Sequence, residues 1–310
     1  MSGLIVGTRG SPLALAQTEL IKGMLLRAHP DLAVTVKIIQ TSGDRFQQAA
    51  IAAAGGKGLF TREIEDQLQA GTVDLAIHSL KDLPTELPDG LTLGAVPCRE
   101  DARDVLILKQ RGSGLGAATH APLARLPAGA TIATSSIRRQ AQLLAARPDL
   151  CVVPIRGNLD TRLRKLGEND GWTATMLAAA GLNRLRIHAQ WPQYHWHPLP
   201  VDVMIPAVGQ GAIGVEVRAD DFTTQELLAA INDADTLACV EAERVFLRAM
   251  GGGCQLPFAA HAAITGKEIH LVAAAFSEDG RSARRAVVTG PVLDPHGLGA
   301  RAATELRAGR

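Results

Sequence analysis

Short apolar runs rich in Val and Ile recur between segments of helical pattern: Leu4–Val6, Val34–Ile39, Val73–Ile77 and Leu91–Val96. Strands separated by helix-length connections cannot close as hairpins. They cross over and lie side by side, so the alternation predicts an α/β fold with a mostly parallel sheet and helices on its faces. The first long helix opens at Ser11-Pro12, with Ser11 as N-cap and Pro12 at the first helical position, which leaves Arg9 in the turn between strand and helix.

One of these strands ends in charge. Val73-Asp74-Leu75-Ala76-Ile77 runs into His78-Ser79-Leu80-Lys81-Asp82-Leu83-Pro84. Pro84 cannot donate to a ladder and holds Leu83 extended, so the strand stops where the charges appear. Carboxyl ends of strands are where α/β proteins gather their ligands, so Lys81 and Asp82 are expected to face a cleft; the simpler reading is a surface ion pair closing a strand.

A chain of 310 residues is too long for one ordinary core and implies two or three domains. A second unit begins near Arg99–Asp104, with Val105–Leu108 as its first strand and Gly112, Gly114 and Gly116 in a surface loop. Thr131–Thr134 leads to the helix cap Ser135-Ser136 and a helix that opens with Arg138-Arg139 and carries Ala141, Leu144 and Ala145 on one face. Val152–Ile155 leads to Arg156-Gly157-Asn158 and another helix, with Arg162 one turn inside. Pro206–Gly214 is a glycine-rich turn before a strand at Ile213–Val217. The third unit begins near Asp220: Ala234, Leu237, Ala238, Val245 and Ala249 fit an amphipathic helix ending at Gly251-Gly252-Gly253. Strands near Ala259–Ile264, Ile269–Phe276 and Ala286–Val288 and a helix from Leu298 to about Arg307 follow, an α+β order.

The net charge of +1 argues against a general nucleic-acid binder, which needs a basic surface. Charge is placed unevenly, however. From Arg125 to Arg186 there are ten Lys or Arg, nine of them Arg, against four Asp or Glu, which suits a local anion site. Arg9, Arg138, Arg139, Arg156, Arg162 and Arg184 stand in turns or first turns, where free N–H groups already favour anions, and Arg binds carboxylate or phosphate in bidentate fashion. A polycarboxylate or phosphate site is expected.

Cys98, Cys151 and Cys239 sit among apolar neighbours and are expected in the core. Cys254 follows three glycines at a helix end, where the backbone can hold the thiol toward a ligand. It could be a nucleophile, a redox sensor or a covalent tether, and the lack of a neighbouring His to act as base favours the tether. No C-x-x-C pair occurs. His195 and His197 have no carboxylate or thiol beside them, so Ala189–His197 is expected to be a packed loop rather than a metal site. The N-terminus lacks the basic start and apolar core of a signal peptide, and no stretch has the ~18 apolar residues needed to span a bilayer. A cytoplasmic protein with no membrane or nucleic-acid partner is expected.

Seven segments in order resemble the signatures of the porphobilinogen deaminase (hydroxymethylbilane synthase) family. They are Thr8–Ala14, Gly55–Phe60, His78–Pro84, Thr134–Gln140, Arg156–Asn158, Pro206–Gly211 and Gly252–Gln255. The resemblance implies two α/β domains similar to periplasmic binding proteins and a third small α+β domain: residues 1–98 with 205–220, 99–204, and 221–310. It further implies a monomer acting on porphobilinogen and a growing polypyrrole chain, and a dipyrromethane cofactor joined to Cys254 by a thioether. The cofactor primes head-to-tail addition of four units with loss of ammonia, and hydrolysis then frees the linear tetrapyrrole.

By the same resemblance Asp82 stabilises the charge on pyrrole nitrogen and handles the proton, with Lys81 and Arg9 completing the catalytic set. Lys81, Asp82, Ser136, Arg138, Arg139 and Arg184 hold the cofactor tethered at Cys254; Arg9, Ser11, Arg156 and Arg162 hold the reacting unit. The chain departs from the family's pattern at Gly10, Thr173 and Gly251. The rivals are a non-enzymatic two-lobed anion-binding protein and a thiol-dependent transferase with an ordinary acyl substrate, neither of which would carry a pyrrole adduct.

Overall fold

The computed structural model describes residues 3–45, 60–109, 122–252 and 257–309. The first sheet contains β1 (Leu4–Thr8), β2 (Val34–Ile38), β3 (Leu75–Ser79), β4 (Leu91–Ala95) and β10 (Ile213–Arg218), in the order β2-β1-β3-β10-β4. β1 pairs in parallel with β2 and β3, whereas β10 is antiparallel to both β3 and β4. Helices α1 (Pro12–Ala28), α2 (Ser42–Arg45) and α3 (Arg62–Gln69) connect its strands. Ser11 caps α1 by accepting from the Ala14 N–H at 3.3 Å, with Pro12 in the first turn as expected. Ile21 and Leu25 of α1 pack with Leu75, Val215 and Leu228 in one core.

The second sheet repeats the plan. It holds β5 (Asp104–Lys109), β6 (Thr131–Ala133), β7 (Cys151–Val153), β8 (Ala174–Ala178) and β9 (Tyr194–Pro198), in the order β7-β6-β8-β5-β9. β6 is parallel to β7 and β8, and β5 is antiparallel to β8 and β9. Helices α4 (Ile137–Ala146), α5 (Leu159–Glu168), α6 (Ala179–Arg184) and α7 (Ile187–Gln190) accompany it. The expectation of mostly parallel pairing is therefore corrected, since half the pairings in each sheet are antiparallel. The cause is topological. β10 returns from the other lobe and enters beside the carboxyl end of β3, Ile213 opposite Ser79, so it must run backwards; β5 does the same beside β8.

The third unit follows α8 (Phe222–Ala229), whose Leu228 packs in the first core. Helix α9 (Ala234–Ala249) and α10 (Pro295–Arg307) cover an antiparallel meander of β11 (Phe258–Thr265), β12 (Glu268–Phe276) and β13 (Ala283–Pro291). The helix–strands–helix order is as read from the sequence. No helix among the described residues is long and apolar enough to cross a membrane.

Four local expectations are corrected. Cys98 and Cys151 are exposed, Cys151 because it opens the edge strand β7; only Cys239 is buried. Ala189–His197 is not a loop: its end forms β9, held by ladder bonds to β5 that periodicity does not report. α4 buries Arg138, Arg139, Ala141, Gln142 and Leu143, while Leu144 is half-buried and Ala145 exposed. α9 buries Glu243 and Arg244 but leaves Ala234 exposed, because it is covered on several sides rather than along one apolar stripe. Gly112, Gly114 and Gly116 lie outside the described residues.

Glu243 ties the three units together. Fully buried, it accepts from Arg99 (Nη1 at 2.6 Å, Nη2 at 3.2 Å) and from the Gly209 and Ala262 N–H groups at 2.7 and 2.8 Å. Arg99 belongs to the segment leaving the first sheet, Gly209 to the segment returning to it, and Ala262 to β11. Glu243→Gln keeps the shape but leaves Arg99 without its counterion and turns an amide toward donors. An expected loss of about 3–5 kcal/mol should appear in urea unfolding; a loss below about 1 kcal/mol would show that the carboxylate does not hold this junction.

Candidate functional site

β3 ends at Ser79 and a single 3₁₀ turn, Leu80–Asp82, follows. Leu80 and Leu83 are buried and the Leu80 N–H donates to the Ala212 carbonyl, so the turn is pinned by its apolar residues. Asp82 is left exposed and Lys81 half-buried. The glycine-rich return segment makes this possible. Gly209 (φ 69°) lies so close that a Cβ there would stand 3.1 Å from Leu80, and Gly211 (φ 90°) would put one 2.3 Å from the Glu100 carbonyl.

Three cavities meet at this turn. Arg9, Ser11, Gln17, Ser79 and Asp82 line one; Arg9 also lies 4.3 Å over the Phe60 ring. Another, between the lobes, is lined by Ser79, Lys81, Arg139, Arg162, Arg184 and Gly211. The largest, about 590 Å³, is lined by Lys81, Asp82, Arg62, Arg244, Arg248 and Gly252, among others. Asp82 or Lys81 borders every one. Behind the turn, the His78 imidazole lies 3.0 Å from the fully buried Glu216 carboxylate, and burial raises the nearby Glu65 carboxyl above its ordinary range.

Cations crowd the inter-lobe cavity. Burial pushes the Lys81 amine down to about 8, opposed by the carboxylates of Asp82 and Asp104 and aided by Arg139 and Arg138. Burial likewise lowers Arg162 to about 10, with Arg139 adding to the effect and Asp82 opposing it. Arg184 is lowered by burial, opposed by Glu100. Its Nη2 donates to the Gly211 carbonyl at 2.7 Å, while its buried Nε has no hydrogen-bond partner among the described residues. Arg162 Nε donates to the Gly157 carbonyl at 2.8 Å.

Thus Arg9, Ser11, Lys81, Asp82, Arg139, Arg162 and Arg184 come together around the turn. Others do not. Arg156 is exposed and lines none of these three cavities; Arg138 is buried against Asp104 and the Ile205 carbonyl; Ser136 serves as the N-cap of α4. Cys254 lies outside the described residues, as do Gly55–Leu59 of the glycine motif. Sequence reading missed Gln17, which is hydrogen-bonded to Ser79 at 2.9 Å, as well as Arg244 and Arg248. The two arginines had a usable signal: they stand one turn apart just before the Gly-Gly-Gly-Cys run.

Fold and site together define a two-lobed α/β protein whose cleft sets an array of cations beside the exposed carboxylate of Asp82, a class suited to small polyanions. Family models match it over residues 4–226 (porphobilinogen deaminase, dipyromethane cofactor binding domain) and 237–308 (porphobilinogen deaminase, C-terminal domain). Curated relatives named porphobilinogen deaminase include one from Syntrophotalea carbinolica, 46% identical over 99% of this chain and 93% of its own. Another, from Roseiflexus sp., is 48% identical over 98% of this chain and 95% of its own. The chain belongs to the porphobilinogen deaminase family. Among solved structures it has a likeness to a probable amino-acid ABC transporter extracellular-binding protein from Bacillus subtilis, at 11% identity and TM-score 0.44, covering 74% of this chain and 90% of that one.

The residues present fit the dipyrromethane group of this domain. Gly252, two residues before Cys254, lines the large cavity together with Lys81 and Asp82, and Arg62, Arg244 and Arg248 in the same lining would supply cations for its carboxylates.

Lys81 gives a direct test of the electrostatics. A lysine depressed from about 10.4 in the unfolded chain to about 8 in the fold binds fewer protons when folded between those values. The penalty of burying the ammonium is therefore fully present below pH 8, and stability rises as pH climbs from about 8 to about 10.4. In the cofactor-free Cys254→Ser chain, amine-reactive labelling of Lys81, followed by peptide mass, should show a midpoint near pH 8. A midpoint where free lysines titrate, about 10.4, would contradict the buried setting.

Proposed function

We propose that Asp82 and Lys81, presented by one turn to all three cavities, are the working centre of a hydroxymethylbilane synthase. The chain is a transferase of tetrapyrrole biosynthesis that joins four porphobilinogen units head to tail and releases the linear product by hydrolysis. The shared turn is the observation that carries this reading, because the substrate side (Arg9, Ser11), the inter-lobe cations and the Gly252 rim all converge on it. When bound through Cys254, the dipyrromethane supplies the pyrrole α-carbon at which chain growth begins.

The protein's own groups do the rest. Asp82, exposed at the junction, stabilises positive charge as it develops on pyrrole nitrogen and takes up the proton released when rings are joined. Arg9, with its guanidinium over Phe60, and Arg162 clamp the carboxylates of the incoming unit, with Ser11 as a hydroxyl donor. Lys81, Arg139 and Arg184 neutralise rings already joined. We assign the residue ranges 1–98 with 205–220, 99–204 and 221–310 as the three domains, with α8 of the last range packed on the core of the first. A cytoplasmic monomer belongs to the same reading and is checked by cell fractionation and sedimentation.

An intact mass of the purified chain tests the reading against a simple anion-binding protein: a gain equal to two linked pyrrole units is expected, and its absence defeats the proposal. Cys254→Ser should fold and lack that gain, since a hydroxyl is a far weaker nucleophile than a thiolate; an adduct surviving on Cys98, Cys151 or Cys239 would move the tether. Asp82→Asn should keep the mass gain but lose about 3 kcal/mol of transition-state stabilisation, roughly a hundredfold or more in turnover. Turnover within about threefold of the parent would return Asp82 to an ordinary surface charge.

A further inference from the structure

We propose that Asp104 is the built-in counterion that holds Arg138 in the interior and sets Arg139 at the cleft, leaving one positive charge of that pair for a carboxylate of the tethered dipyrrole. The proposal rests on the cofactor reading above. Asp104 opens β5 and is fully buried. Its Oδ1 accepts from Arg139 Nε at 3.0 Å and Nη2 at 2.6 Å, and its Oδ2 makes an ion-pair contact of 2.7 Å with Arg138 Nη1. Arg139 is further fixed by the Met176 carbonyl, at 2.9 Å from Nη1, and Arg138 by the Ile205 carbonyl. A third donor reaches Asp104 from the return segment: Gln210 Nε2 lies 3.0 Å from Oδ1 and 2.7 Å from the Ala102 carbonyl.

Among the described residues, two buried guanidiniums stand against one carboxylate and do not balance. A buried charge that its neighbours do not fully compensate is expensive unless another anion reaches it. Here the surplus is directed at a ligand. Arg139 lines the inter-lobe cavity beside Lys81, Arg162 and Arg184, so the unmatched charge opens into the cleft rather than into packed core. Among the described residues the carboxylates acting on this group are Asp104 and, through Lys81 and Arg162, Asp82; the cations are Arg138, Arg139, Lys81 and Arg162. Burial would raise the Asp104 carboxyl, yet the two guanidiniums hold it well below the usual range, so it stays ionised as their partner. Its influence also reaches Lys81, where it opposes the lowering caused by the same two arginines.

If Asp104 and a ligand carboxylate share the pair, each is more needed when the other is missing. A plain structural ion pair has no such dependence. Thermal midpoints are measured for the cofactor-loaded chain and for the cofactor-free Cys254→Ser chain, each alone, with Asp104→Asn and with Arg139→Gln. Asp104→Asn should cost about 2 °C or more beyond its loaded-state cost in the cofactor-free chain, where no anion remains for two guanidiniums. Arg139→Gln should show the opposite order, costing more in the loaded chain because a ligand carboxylate loses its partner. If Asp104→Asn fails to fold in the cofactor-free background while folding in the loaded one, the expected order is met in its extreme form. Equal costs in both backgrounds for both variants overturn the proposal. So does failure of Asp104→Asn to fold in either background, unless Arg139→Gln still shows the opposite order. Intact mass separates the two layers: a parent chain without the two-ring gain removes the ligand itself, whereas a loaded parent with equal costs leaves the cofactor reading intact and returns Asp104 to a structural role.

Discussion

The buried carboxylate of Glu243 holds the architecture together, because it is where both crossings between the lobes and the third sheet touch one group. Such a carboxylate is tolerable only if its lone pairs are saturated, and four donors saturate it: two from Arg99 and the N–H groups of Gly209 and Ala262. The three donor residues come from three different parts of the chain. The helix that carries Glu243 then continues as a wall of the large cavity through Arg244, Leu247 and Arg248, and it ends at the glycines before Cys254. The junction and the cavity wall therefore share one helix.

The Lys81–Asp82 turn depends on the same junction from the other side. Arg244, next to Glu243, donates to the Pro84 carbonyl at 2.7 Å, and Gly209, whose N–H is held by Glu243, packs against Leu80. Pro84 stops the strand, but the return segment decides where the stopped turn sits. A side chain at residue 209 or 211 would be strained by the positive φ and would also strike Leu80 or the Glu100 carbonyl. The spacing of the two glycines is thus set by the site rather than by the loop in which they lie.

What the sequence made legible was local. The cap at Ser11-Pro12 and the strand stop at Pro84 follow from residues within a few positions of each other, and the helix–strands–helix order of the third unit and the turn positions of Arg139, Arg162 and Arg184 follow from each segment's own neighbours. What it hid was pairing at a distance. Nothing near Arg138 and Arg139 announces that Asp104, about 35 residues earlier, will bury them, so they look like free cations in a first turn. The antiparallel entry of β10 and β5 is set by the double crossing between lobes, which no period in the chain encodes. Exposed Cys151 and the strand at Tyr194–Pro198 share that origin: both lie on sheet edges, and edge position is a property of topology. The family signatures supplied the function because their order along the chain carries information that local chemistry lacks.

The charge of the inter-lobe cavity links these levels. Lys81, Arg139, Arg162 and Arg184 face one space, and burial together with mutual repulsion weakens the hold of Lys81 and Arg162 on their protons. A ligand bringing several carboxylates reverses both effects, since each anion compensates a cation that the fold had already desolvated at its own cost. The protein thus invests folding energy in a site that its ligand then relieves, so empty and filled forms must differ in stability in the direction of the filled one. Asp82, exposed at the edge of this array and lining two of the cavities, adds a negative point at the spot where positive charge is proposed to form during reaction.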